Sequence, residues 1–130
     1  MAVIPLMPPE GFALIASNIR EAKRHGMLPN MSTPRVYYWF YQMVRHGGPW
    51  DYKRYNKAWA NFGNFNYGAT GTAAGIPSNI LLMGGGFAQE CAGTLRKGWG
   101  HWYQKPPYGD DPHDQFWIRQ GIDYANQNHF

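Results

Sequence analysis

Two places in this sequence put a proline directly behind a capping side chain, and they fix most of what the chain can become. At Thr33-Pro34 and Asp111-Pro112 the first residue offers an oxygen to the free N–H groups of a helix start. The proline then fills the first helical position, where its missing N–H costs nothing. Apolar residues at helical spacing follow each start. After Thr33 they are Val36, Phe40, Met43 and Val44, widened by Tyr37, Trp39 and Tyr41. After Asp111 they are Trp117, Ile118, Gly121, Ile122 and Ala125, with Asp114 suited to the first turn. Gly47 ends the earlier helix and Pro49 prevents its resumption. Phe12, Ile15, Ile19 and Ala22 predict another helix over residues 10–25, with Gly26 as its stop.

Ser78 caps a helix expected to run to about Ala92. Its Gly84-Gly85-Gly86 run costs roughly 1 kcal/mol per glycine relative to alanine, so close packing of another element is expected there. Met27 to Ser32 reads as a linker and residues 93–109 as a loop. Residues 61–71, rich in Gly, Asn and aromatic rings, predict a short hairpin or an irregular loop. The expected fold class is therefore mostly α: an extended arm over residues 1–9, then one compact helical domain over 10–130.

The surface is built unusually. Charged residues make up 15% of the chain and aromatic residues 17%, so Tyr, Trp, Asn and Gln must cover much of the exterior. Rings in that number are expected to line a groove. A net charge of +4 favours anionic partners such as RNA, DNA or a bacterial cell wall, although ordinary solubility accounts for it equally well. Cys91 is the single cysteine, so no internal disulfide forms, and a buried inert thiol is its simplest reading. No stretch is long enough to span a membrane, and MAVIPLMPPEG lacks the basic start of a secretory signal.

Chemistry is expected in the middle of the chain and near Asp111. In HGGPWDYK, from His46 to Lys53, a rigid turn presents Trp50, Asp51, Tyr52 and Lys53 together. Aromatic neighbours desolvate a carboxyl and raise its pKa, which makes Asp51 the first candidate for a catalytic acid or base. A turn-stabilising Asp is the structural alternative. Lys53 suits a developing negative charge or a phosphate, or is simply solvated. Asp110, Asp111 and Asp114 cluster at a helix start; paired carboxylates divide acid and base roles there, or serve as ordinary helix capping. Asp110, Asp111 and His113 match no specific metal-ligand spacing, and no cofactor motif is present. His46 and His101 are the best two histidines for nuclease chemistry. Asn61, Asn64, Asn66, Tyr67 and Gln115 suit hydrogen bonding to substrate, and Trp50, Tyr52, Trp99 and Trp102 suit stacking, unless they fill the core.

Three blocks carry a family resemblance: GGPWDYK at Gly47–Lys53, NFGNFNYGATGTAAG at Asn61–Gly75, and YGDDPHDQFWIRQGIDY at Tyr108–Tyr124. In that order they resemble the bacterial toxin 44 domain of polymorphic toxins, over roughly Tyr38 to Tyr124. The resemblance implies a mostly helical toxin tip, with predicted ribonuclease activity. It implies delivery into rival bacteria by a delivery protein or as part of a larger secreted chain, and a cognate immunity protein as partner. The polar motif positions are Asp51, Lys53, Asn61, Asn64, Asp111, Asp114 and Gln115.

Three functions are compatible with these residues. The first is a hydrolase of peptidoglycan glycan strands, working in the periplasm of the target cell. Asp51 would be the acid and Asp114 or Asp111 the base or nucleophile. A helix, an acid at its exit, a Gly/Asn loop and packing helices also occur in that order in lysozyme-like enzymes, an analogy at fold level only. Those enzymes usually use Glu, which makes Glu90 the alternative acid. The second is a cytoplasmic ribonuclease using His46, Asp51 and Lys53, with rings stacking on bases. The third is a carbohydrate-binding module without catalysis.

Overall fold

The computed structural model describes residues 2–27, 33–91, 98 and 100–128. Five α-helices are present among them: α1 (Gly11–Gly26), α2 (Thr33–Val44), α3 (Ala60–Ala73), α4 (Ser78–Cys91) and α5 (Pro112–Asn128). Short 3-10 turns at Tyr52–Arg54 and Lys57–Trp59 join α2 to α3. No strand occurs among the described residues. The helices expected from capping and periodicity are all found, and Asp111 Oδ1 accepts the His113 backbone N–H at 2.9 Å, as a cap should.

The hairpin or irregular loop expected over residues 61–71 is a helix. α3 is the centre of the fold and packs on α5, α1 and α4. Phe62, Phe65, Asn66, Ala69 and Thr70 are fully buried in it, against Ile15 and Ile19 of α1 and Ile118 of α5. Its glycines obscured the helix because they read locally as breakers. Their role is tertiary. A Cβ on Gly68 would lie 2.1 Å from the Ile118 carbonyl oxygen, and one on Gly121 would lie 2.0 Å from that of Phe65. The α3 and α5 backbones therefore touch through a reciprocal pair of glycines. Dense packing at that crossing offsets the propensity penalty.

The glycine run of α4 works as expected. Gly86 leaves room for the Tyr108 carbonyl and Gly85 for the Asp110 side chain, each closer than any Cβ would permit. This seats the segment after residue 100 on α4 and delivers Asp110 to the start of α5. Tyr108 and Gly109 both adopt left-handed backbone angles there (φ 60 and φ 76), a conformation costly for a tyrosine. Residues 2–10 form no helix or strand, and the Ala2 and Val3 backbone N–H groups donate to Gln127 and Gln120 of α5.

Candidate functional site

The turn after α2 is closed by its own hydrogen bonds. Gly47 has a left-handed φ of 79, and the Trp50 N–H returns to the Met43 carbonyl at 2.8 Å. Asp51 is buried, and its Oδ2 accepts the Gly47 N–H at 2.9 Å. His46 approaches the same oxygen at 3.5 Å from a side chain that is 93% exposed. These contacts place Asp51 in the turn-stabilising role that competed with catalysis in the sequence.

Most of the rings and amides expected to meet substrate point inward instead. Trp50 is buried edge-on against Trp39, and Tyr52 is buried against Phe62. Asn18 donates to the Tyr52 hydroxyl at 2.7 Å and to Asn66 Oδ1 at 3.0 Å, which locks α1, the 3-10 turn and α3 together. Asn66 thus belongs to the core. The reason is the helical form of α3, which turns every third or fourth residue of the expected loop inward. Tyr67 donates to the Leu81 carbonyl at 2.7 Å, and its hydroxyl is held protonated, well above the usual range, by burial and the nearby Asp110 charge. Asn61 and Trp102 are half-buried, and His101 is exposed and stacked on Tyr103. Glu90 and Trp99 lie outside the described side chains.

A different group converges. Asp110 is 3% exposed and takes hydrogen bonds from Gln115 Nε2 at 2.7 Å and from the Asp111 N–H at 2.9 Å. Burial pushes its carboxyl up to about 6 against the opposing Gln115 bond, with Asp114 and Asp111 adding repulsion. Asp114, half-buried in the first turn of α5, is also raised, by burial first and then by Asp111. His113, Lys53 and Asn64 pull the Asp114 carboxyl the other way. Residues of all three sequence blocks therefore act on Asp114: Lys53 of the first by its charge, Asn64 of the second as a hydrogen-bond partner, and Asp111 of the third by repulsion.

Gln115, expected at the substrate, is 3% exposed and spans Asp110 and the Leu82 carbonyl at 3.0 Å. It positions the acid. Its Oε1 has no hydrogen-bond partner among the described residues. Asp110 drew little weight in the sequence, because only tertiary packing against Gly85 buries it. The adjoining Gly109 and the glycine run of α4 were the available signals. No group of three His, Cys, Asp or Glu residues suited to a metal ion occurs among the described residues. A depression of about 390 Å³ over the 98–107 segment is lined by Gly98, Gly100, Gln104, Lys105, Pro106 and Pro107, and none of the acids lines it.

Linkage gives a pH signature for this cluster. The folded Asp110 pKa lies above its unfolded value, so the native state binds the extra proton. Stability tied to that proton is fully present below about pH 4 and is lost as pH rises towards about 6. Urea unfolding should show the parent losing stability relative to Asp110→Asn across that window, by on the order of 2 kcal/mol. Parallel pH curves for the two proteins would contradict the assignment.

Residues 52–127, more than half of the chain, match the family model described as bacterial toxin 44. No curated protein and no solved structure matches the chain.

Proposed function

The chain belongs to the bacterial toxin 44 family, and we propose that this toxin domain is a hydrolase of peptidoglycan glycan strands, using Asp114 and Asp111 at the start of α5. One observation carries the reading: Lys53, Asn64 and Asp111 all act on the Asp114 carboxyl, whose proton burial retains above the ordinary range. A raised carboxyl together with a second carboxylate supplies the two groups that glycoside hydrolysis uses. Asp114 donates its proton to the glycosidic oxygen as the bond breaks. Asp111 stabilises the positive charge developing on the sugar ring or activates the attacking water. Lys53 and Asn64 hold substrate beside Asp114. Asp110, buried and fixed by Gln115, is a positioning residue that adds negative charge behind the pair.

The net charge of +4 suits an anionic substrate and also supports a second reading, a ribonuclease toxin. Support for that reading is weaker in the site itself. His46 sits on the Asp51 turn and His101 on Tyr103, and neither contributes to the shift of Asp110 or Asp114.

A toxin domain is delivered into a target cell, and the cell that makes it needs an immunity protein. Expression with and without a periplasmic signal separates the two substrates. Rounding and lysis from the periplasmic form alone is the expected result. Growth arrest with RNA breakdown from the cytoplasmic form overturns the glycan reading.

A further inference from the structure

α2 carries a second surface unrelated to the acids. Arg35, Tyr38 and Tyr41 follow one another at three-residue spacing and form one stripe of α2, and Arg45, the first residue past the helix, continues it with its N–H on the Tyr41 carbonyl at 3.0 Å. The opposite stripe, centred on Val36 and Phe40, is buried in the core. The outer stripe is open: Tyr38 is 67% and Tyr41 59% exposed, and both arginines are exposed. Among the described residues none of these four side chains makes a hydrogen bond, ion pair or ring contact. Two large rings and two guanidinium groups thus stand exposed along α2 and its exit, making no side-chain hydrogen bond, ion pair or ring contact within the described fold.

Composition says what such a surface receives. Tyr and Arg are enriched among the residues that dominate binding energy at protein interfaces: Tyr buries much area with few torsions to freeze, and Arg presents a planar, pre-organised fork of donors. The surroundings are one-signed. α2 contains no acidic residue, and α1 beside it exposes Arg20, Lys23 and Arg24, with Glu21 its one carboxylate, already paired to Arg24. No residue of α2 affects Asp110 or Asp114, and the helix lies outside the matched stretch 52–127.

We infer that the outer face of α2 is a docking site for an acidic protein, seated through Tyr38 and Tyr41 and steered by Arg35 and Arg45. The partner chemistry is a folded surface bearing carboxylates around an apolar patch, which a cognate immunity protein would present. It binds away from the acids. This inference rests on the chain being a toxin domain and not on which polymer it cleaves.

The test starts from a genetic selection. Fragments of the producing genome are screened for the clone that rescues cells expressing the toxin, and its protein product is purified as the probe. Tyr38→Ala/Tyr41→Ala should weaken binding of that protein by about 100-fold. Arg35→Glu/Arg45→Glu should slow association about 10-fold or more at low salt and remove most of the salt dependence. Both variants should keep parental circular dichroism, parental melting and full toxicity without the rescuer, and should escape rescue. Parental affinity in both variants, or binding abolished only by substitutions at Lys53 and Asp111, would overturn the assignment. So would tight RNA binding by α2 that the arginine reversals destroy while rescue persists. Loss of toxicity in Asp114→Asn with rescuer binding intact keeps this surface distinct from the catalytic reading.

Discussion

Gly121→Val is expected to cost the domain roughly 3 kcal/mol or more, enough to unfold many proteins of this size. The reason lies in two backbones, which cannot give way as a flexible side chain can. A Cβ at Gly121 would sit 2.0 Å from the Phe65 carbonyl oxygen and 2.9 Å from the Ala69 nitrogen. Relief would require α5 to move off α3, the most extensive contact in the fold. Gly68→Val should behave the same way from the other side, since its Cβ would meet the Ile118 carbonyl at 2.1 Å. Gly63→Ala supplies the contrast. It lies in the same helix, and the nearest atoms of Tyr52 are 3.9 Å away. It should gain up to about 1 kcal/mol from helix propensity and a stiffer unfolded chain. Urea melts of the three variants decide the matter. A Gly121→Val protein as stable as the parent would mean that the helices do not cross in contact.

Asp114→Asn should lower hydrolysis of purified cell-wall glycan by about 100- to 10,000-fold while leaving the fold intact, because it removes the transferable proton and little volume. Asp51→Asn should stay within a few fold of the parent, since an amide oxygen still accepts the Gly47 N–H that the carboxylate now holds at 2.9 Å. The rate should also follow pH in a defined sense. Burial raises Asp114, so its acid form persists above the ordinary carboxylate range and is lost as pH rises further. The parent rate should therefore decline on the alkaline side, and Lys53→Met should move that decline higher, because Lys53 now favours the charged form. Full toxicity in Asp114→Asn, with none in Asp51→Asn, would move the chemistry back to the turn after α2.

Much of this was readable residue by residue. Pro34 and Pro112 announced helix starts, Gly47 an end, and Asp111 a cap, because each acts on backbone groups within one turn. Of the three blocks that resembled the toxin family, the second and third lie wholly within the stretch 52–127 that matches it. The candidate site was readable only in part. Lys53, Asn64, Asp111 and Asp114 stood out as polar groups at motif positions, and the first three all act on the Asp114 carboxyl. Trp50, Tyr52 and Asn66 stood out equally, yet they are core. Local sequence contains no term that separates an aromatic or amide facing solvent from one facing Ile15 or Phe62.

What the chain determined alone was where four of the five described helices begin and stop, and which residue types are available for acid chemistry. Those are short-range matters of capping, torsion and side-chain pKa. Only packing decided that Asn61–Gly71 coils and that Asp110 loses its water. Both outcomes depend on how near one backbone comes to another across a long stretch of sequence. Gly68 against Ile118 and Gly85 against Asp110 set those distances.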